Sequence, residues 1–491
     1  MIETAKPICL SFQSQIISSF VLGSAELLIG TDPLFAALMS SYNFIFWSVV
    51  RQLGGITTVN GMIVLFMGLT NVLFSQVMKV VLGQPAQTFL DAPTETAVVQ
   101  NLGIASFYLG ARFAESLPIG KAWFPGSPTA EQMHRGGLIC LIISVVIQGV
   151  SELLPDMLKV AAIGGVLGYL GAVSSIGIIF TVAAKVDGTK GDKIASPVLA
   201  ILLILNVLPA IYGVSKQGLI QPILAILLAA IAFGYRFTRT KAIFSVALIV
   251  ASFAPFQNFS KLGHGFFVGR YPNQGMIQAI SSFWQESQAN GGFSEFIRKL
   301  TDHQENETQK QFGEYYGKSY GVLDRFSMIA PGSTLVAKIL EVGPVGYDQF
   351  WGGFTLLPKS ITGIAAENAT RQGFGHLVGY LGEEDLTTGI SFGLFPDAFG
   401  IGSFTGVLLI GIAYSAIMFV ICKKMCSTLR SNIYGLSLFV STTHVVNEAS
   451  TSFIGFFAFR VAPFTIMLFM GLRGLMNIGM KNGPTKNRTW N

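Results

Sequence analysis

A charged side chain is costly inside an apolar stretch, so the few that occur there are the first candidates for chemistry. Arg460 interrupts the apolar run Phe453–Met470. It is either an anion ligand facing an internal cavity, or a group that reaches a water interface or pairs with Glu448. Lys216, in Tyr212-Gly-Val-Ser-Lys-Gln-Gly218, lies between two apolar stretches. Lys79 and Lys159 read as solvated cations at ordinary helix ends. Within the polar segment between Pro255 and Ile401, Arg325, Lys359, Arg371 and His376 stand out. Such groups suit a phosphate, Arg through a bidentate fork and Lys as a point charge. Lys359 follows Leu356-Leu357-Pro358, an apolar turn that would present it near a membrane surface. Asp324 beside Arg325 reads equally as a surface ion pair worth little. A general base would come from Glu367, His376, Glu383, Glu384, Asp385 or Asp397, most of the six being solvated or structural. Asp397 differs from the rest in standing just before a glycine-rich entry into an apolar stretch.

Other chemistries leave no trace. The chain has no G-x-x-x-x-G-K-[ST], no G-x-S-x-G and no H-E-x-x-H. Its five histidines are scattered without metal-ligand spacing, and Cys422-Lys-Lys-Met-Cys426 has no second pair. No cofactor and no metal are expected. Asn306-Glu-Thr308 and Asn368-Ala-Thr370 match a short glycosylation sequon that recurs by chance.

The elements that must position these groups are helices in a membrane. Hydrophobic residues make up 51% and charged residues 12% of the chain, with a mean hydropathy of +0.57. Soluble domains carry about 25% charged residues. Apolar runs predict spans near 7–29, 33–50, 56–78, 98–116, 136–154, 160–182, 196–214, 218–235, 242–256, 400–421, 431–447 and 452–475. The first follows Lys6 without a small-residue cleavage site, so it reads as an uncleaved span. The expected fold is therefore all-α and polytopic, with about twelve transmembrane helices. Three regions follow: helices one to nine in 1–256, a large extracytoplasmic loop in 257–399, and helices ten to twelve with a cytoplasmic tail in 400–491.

The net charge of +6 does not point to nucleic acid, because of where it lies. Residues 257–399 hold ten Lys/Arg against fourteen Asp/Glu, and the rest of the chain holds 22 against 12. The cations collect in alternate short connections, around Arg51, Lys121, Lys185–Lys193, Arg236–Lys241 and Lys423–Arg430. That pattern puts both termini in the cytoplasm and the long segment outside. Its aromatics, among them Tyr315, Tyr316 and Trp351, are too many for a solvated linker. Ser294–Leu300 and Ser333–Leu340 read as short helices, and 343–354 and Gly373–Gly382 as turns.

Three pieces in fixed order resemble the Wzy-type polymerases of bacterial surface polysaccharides. Ser215-Lys216-Gln217-Gly218 is similar to that family's small-residue, cation, Gly element. Phe354-Thr-Leu-Leu-Pro358-Lys359 is similar to its apolar-apolar-Pro-Arg segment, with Lys in place of Arg. Thr387–Gly406 resembles its Gly-Leu, acidic, aromatic, Phe-Gly stretch entering the next span, with Ser403-Phe404 as extra residues. Arg325 stands where the family often has an Arg. The resemblance implies a GT-C-like, metal-independent glycosyltransferase in the bacterial inner membrane, both termini cytoplasmic. Its donor would be a growing glycan on undecaprenyl pyrophosphate, and its acceptor one lipid-linked oligosaccharide repeat unit. Lys216, Arg325, Lys359, Arg371 and Arg460 would bind the phosphates, and Asp397, Glu367 or His376 would take the proton. Partners would be the lipid bilayer and a chain-length regulator. Alternatives are a lipid-linked oligosaccharide flippase and a glycan ligase. A flippase would carry inward-facing charges along its early spans, and few are evident in the sequence.

Overall fold

The computed structural model describes residues 9–153, 162–212, 216–238, 276–292, 295, 315–316, 327–347, 369–382, 390–447, 450–451 and 453–478. These residues are mostly helical and form no strand. In chain order the helices are α1 (Phe12–Leu28), α2 (Pro33–Gln52), α3 (Val59–Gly68), α4 (Phe74–Val81), α5 (Pro93–Ser116), α6 (Ala130–Leu153), α7 (Ala162–Gly188), α8 (Pro197–Tyr212) and α9 (Lys216–Ala232). They continue with α10 (Met276–Ala289), α11 (Ile329–Val342), α12 (Ala369–Leu377), α13 (Leu394–Met425), α14 (Ile433–Asn447), α15 (Phe453–Phe456) and α16 (Ala462–Asn477). Single π turns, Leu69–Leu73 and Phe457–Val461, join α3 to α4 and α15 to α16.

Five helical stretches are long and apolar enough to cross a bilayer: Pro33–Gln52, Val59–Val81, Ala130–Val150, Leu394–Met425 and Phe453–Asn477. Shorter apolar helices occupy Pro197–Val207, Gln221–Ala232 and Ile433–Thr442. Side-chain placement identifies the solvent. α1 buries Gln15, Ser19, Gly23 and Glu26, which fall on one face at helical spacing. Its apolar residues point out, with Phe20 73% and Leu28 88% exposed. A helix in water does the reverse. This protein is membrane-embedded. The span expected over 242–256, and most of the short helix expected at 294–300, lie outside the described residues.

The chain divides into two compact units. The first comprises Met1–Pro125, Gln309–Leu429 and Thr442–Ile466. Local capping sets its helix starts: Ser11 accepts from Ser14 N–H, Asp32 from Phe35 N–H and Thr58 from Gly61 N–H, with Pro at the first turn of α2 and α5. α5 and α13 run parallel in its centre, meeting through small residues. A Cβ on Gly110 would strike Ser415, and one on Gly411 would strike Ser106. Both serines turn their hydroxyls onto their own helix, Ser106 to Gly103 O and Ser415 to Gly411 O, each at 2.6 Å. Close approach of helices through small residues is the usual means of packing where lipid supplies no hydrophobic drive.

One end of this unit collects 51–58, 115–125 and 423–429. There Trp123 and Phe124 N–H donate to Lys424 and Met425 O, Leu429 N–H donates to Thr57 O, and Lys423 pairs with Glu115 at 2.9 Å. The other end gathers the α1–α2 turn, the 82–92 link and parts of the long polar segment. Ala86 N–H donates to Thr31 Oγ1, Gln84 Nε2 to Tyr316 O, and Ala92 N–H to Ser333 Oγ. The described parts of the long segment in this unit are thus folded. The helix read at Ser333–Leu340 runs from Ile329 to Val342 and buries Leu335, Val336 and Ile339. The reading of Gly373–Gly382 as a turn is corrected: residues up to Leu377 belong to α12, and the turn begins after it, with Gly379 at φ +77°.

The second unit comprises Gly126–Thr308, Arg430–Ser441 and Met467–Asn491. α6 lies on α7 through Gly136 and Gly137, which face Phe180 and Thr181. Ser174 and Ser175 both donate to Asn206 Oδ1, which closes a polar cluster inside the unit.

The Gly110–Ser415 contact makes a sign prediction. Gly110→Ala lowers the unfolding temperature in detergent, because packing an extra methyl into a filled seam costs about 1–3 kcal/mol. Gly474→Ala, on an exposed helix position with nothing near its Cβ, raises the unfolding temperature through helix propensity. Adding Ser415→Gly to Gly110→Ala recovers most of the loss.

Candidate functional site

The polar stripe of α1 leads to a network within the first unit. Gln15 Nε2 donates to Leu10 O and Trp47 O, at 3.1 and 3.4 Å, and its Oε1 accepts from Ser48 Oγ. Gly23 lets Ser40 of α2 approach closely. One turn further on, Glu26 Oε1 accepts from Gln76 Nε2 of α4 at 3.0 Å. Gln76 Oε1 in turn accepts from Asn43 Nδ2 of α2 at 3.3 Å. Glu26, Gln76 and Asn43 are all buried. Three helices are therefore tied by one carboxyl and two amides.

Lys79, three residues beyond Gln76, is fully buried. Its reading as a solvated helix end is corrected. The ammonium lies 2.9 Å from Thr88 Oγ1, 3.3 Å from Gln84 Oε1 and 3.4 Å from Thr88 O. It also stands 4.3 Å from the centre of the Tyr315 ring and 5.2 Å from that of Phe89. The 82–92 link folds back over the end of α4, so acceptors that would otherwise face solvent surround the ammonium. Ring faces add cation–π attraction in a desolvated setting. The Tyr315 hydroxyl donates to Ala86 O at 3.1 Å. Burial pushes its phenol well above the usual range, so it stays a donor.

Asp397 lies beside this region of the fold in α13. It is buried in the first turn, where the positive end of the helix dipole favours a carboxylate. Gly393 precedes the helix at φ +87°, and a Cβ there would sit 3.4 Å from Asn71 Oδ1 on the first π turn. α13 begins earlier than the apolar pattern suggests and is broken at Gly402–Ser403, where Ser403 takes φ +56°. The break strips Gly400 and Ile401 of their helical partners. Val345 and Gly346 N–H supply the replacements, at 2.9 and 3.0 Å. Ser403 and Phe404 fall at this kink. Asp397 thus sits on a short helical arm ahead of the long span.

The other expected site residues are placed unevenly. α12 carries Arg371 and, in its last turn, the half-buried His376. It is anchored beside the Asp397 arm by Phe374, which fills the space over Gly400 and meets the Phe392 ring at 6.4 Å. Arg460 lies in the second π turn, its guanidinium 5.4 Å from the centre of the Phe456 ring. Lys216 opens α9 in the second unit. Arg325, Lys359 and Glu367 lie outside the described residues, as do Glu383, Glu384 and Asp385. Among the described residues no group of His, Cys, Asp or Glu could hold a metal.

Sequence reasoning passed over Glu26, Asn43 and Gln76, and set Lys79 aside as solvated. The signal for the first was present: Gln15, Ser19 and Glu26 share one face of an otherwise apolar run. The chain matches no known protein family, no curated protein and no solved structure.

Gln76→Leu removes the one hydrogen bond made to the Glu26 carboxyl group among the described residues. Its loss costs about 2 kcal/mol, the scale for a hydrogen bond to a charged or strongly polar partner. A drop in unfolding temperature for Gln76→Leu, with Gln87→Leu near wild type, checks this.

Proposed function

We propose that this protein is a membrane polymerase that joins undecaprenyl-pyrophosphate-linked oligosaccharide units into a surface polysaccharide. The observation that carries this reading is the burial of Asp397 on its short helical arm, with α11 and α12 of the long polar segment packed around it. Gly332 of α11 closes on Pro396, and Phe374 of α12 closes on Gly400. A carboxylate held in such a place suits the proton of an attacking sugar hydroxyl. Arg371 and the cations at 216, 325, 359 and 460 are the candidates for the pyrophosphate whose charge grows as it departs. The hydroxyl oxygen bonds to the anomeric carbon of the donor chain, the carbon–phosphate oxygen bond breaks, and lipid pyrophosphate leaves. No metal or cofactor enters the scheme.

The reading includes about twelve spans in a bacterial inner membrane, both termini cytoplasmic and 257–399 outside. Its support within the first unit is the gathering of Arg51, Lys121, Lys423 and Lys424 at one end and of 315–316 and 333 at the other. Asp91→Cys is then modified by a membrane-impermeant maleimide in whole spheroplasts, and Lys121→Cys only after lysis.

A second reading, a lipid-linked oligosaccharide flippase, is favoured by one observation. The early helices do carry inward polar and charged groups, in Gln15, Glu26, Asn43, Gln76 and Lys79. The glycan ladder of cells separates the readings. Asp397→Asn and Lys216→Ala express normally and cut chain extension by on the order of 100-fold or more, leaving single lipid-linked units on the outer leaflet. Units trapped on the inner leaflet indicate the flippase. Full-length lipid-linked polymer that is never transferred indicates a ligase. Normal long chains in both variants defeat the polymerase assignment.

A further inference from the structure

We propose that Glu26, held by Gln76, which Asn43 holds in turn, is an exchangeable proton site of the first unit. The assignment is independent of which reaction the chain carries. Glu26 is fully buried on the inward face of α1. Its Oε1 accepts from Gln76 Nε2 at 3.0 Å, and among the described residues its Oε2 has no partner. An ionised carboxylate offers about four acceptor positions, and leaving most of them empty inside a bundle surrounded by lipid is expensive. A proton on Oε2 removes the charge and converts an orphan acceptor into a donor. The same chain of groups ends on another orphan acceptor, since Asn43 Oδ1 has no partner among the described residues either. Among the described residues the carboxyl group thus receives one donor, on Oε1, far short of what an ionised carboxylate needs.

The titratable and charged groups on the neighbouring elements do not supply an alternative counter-charge by hydrogen bond. On α2 these are Tyr42 and Arg51, with Asp32 at its N-terminus; on α4 it is Lys79. Arg51 lies over the Phe12 ring at the other end of α1, and the Asp32 side chain accepts from Phe35 N–H. Lys79 spends its hydrogen bonds on Gln84 and Thr88. Tyr315, whose hydroxyl donates to Ala86 O, brings no positive charge. A bound metal cation fits less well than a proton, because one of the two amide oxygens is already engaged by Asn43 Nδ2. The route for exchange is short. Glu26 lies about one helical turn, roughly 6 Å, beneath the exposed Gly30 that follows the C-cap of α1. The proton comes from water at that end and returns to it, with the O–H bond on Oε2 formed and broken and no other co-reactant.

The test uses the full-length wild-type protein in membranes and dicyclohexylcarbodiimide, a lipid-soluble reagent that adds to protonated carboxyl groups to give an N-acylurea. Peptide mass spectrometry locates the adduct. The expected result is labelling at Glu26 that declines as pH is raised and is unaffected by sodium at constant pH, with the adduct lost in Glu26→Gln. Absence of an adduct at Glu26 in the wild-type protein at low pH overturns the proposal. So does labelling that ignores pH, or protection by sodium, which would make the site one for a metal cation. The wild-type peptide map stands without the variant. In the wild-type protein, the carbonyl-stretch infrared band of a protonated carboxylic acid, shifting in deuterium oxide, is the second readout, and its absence likewise overturns the site.

Discussion

Hydrocarbon offers no hydrogen bonds, so each polar group in a span must find its partner inside the protein. The first unit is organised around that constraint. α1 turns Gln15, Ser19 and Glu26 inward, α2 brings Asn43 and Ser48, and α4 brings Gln76, while Phe20 and Leu28 face out. The polar residues do the work of specifying which helices meet and in what register. Small residues then set how closely, as Gly110 and Ser415 do between α5 and α13.

The same constraint explains the kink in α13. A chain break in lipid would leave Gly400 and Ile401 carbonyls bare, and the backbone at 345–346 covers them. The long polar segment therefore completes the bundle as well as capping it. Asp397 lies on the arm that this pairing holds in place. Lys79 follows a similar logic, since the 82–92 link and Tyr315 wrap an ammonium that α4 alone would have left at a helix end.

Much of the scaffold was legible in the sequence, because a run of apolar residues has few other places to go. Helices lie at or near eleven of the expected spans, five of them long and apolar enough to cross a bilayer, and the twelfth falls outside the described residues. Boundaries moved where side-chain chemistry overrode hydropathy. α13 starts at Leu394 because Gly393 caps it, although the apolar pattern starts near 400. α12 extends over glycines that read as a turn, since Gly375 packs on Leu381 and Ile390 and Gly400 receives Phe374.

The candidate site was less legible. Hydropathy and charge counting alone determined a helical membrane protein with a long polar segment late in the chain, since transfer free energies depend on composition and order. They could not tell that Lys79 is buried, because its cage is built from Thr88 and Tyr315, one of them 236 positions away in sequence. Nor could they pair Glu26 with Gln76, fifty residues apart. Whether a polar group in a span is solvated, satisfied or left with an orphan oxygen depends on which helices touch. That is a property of the packed structure alone.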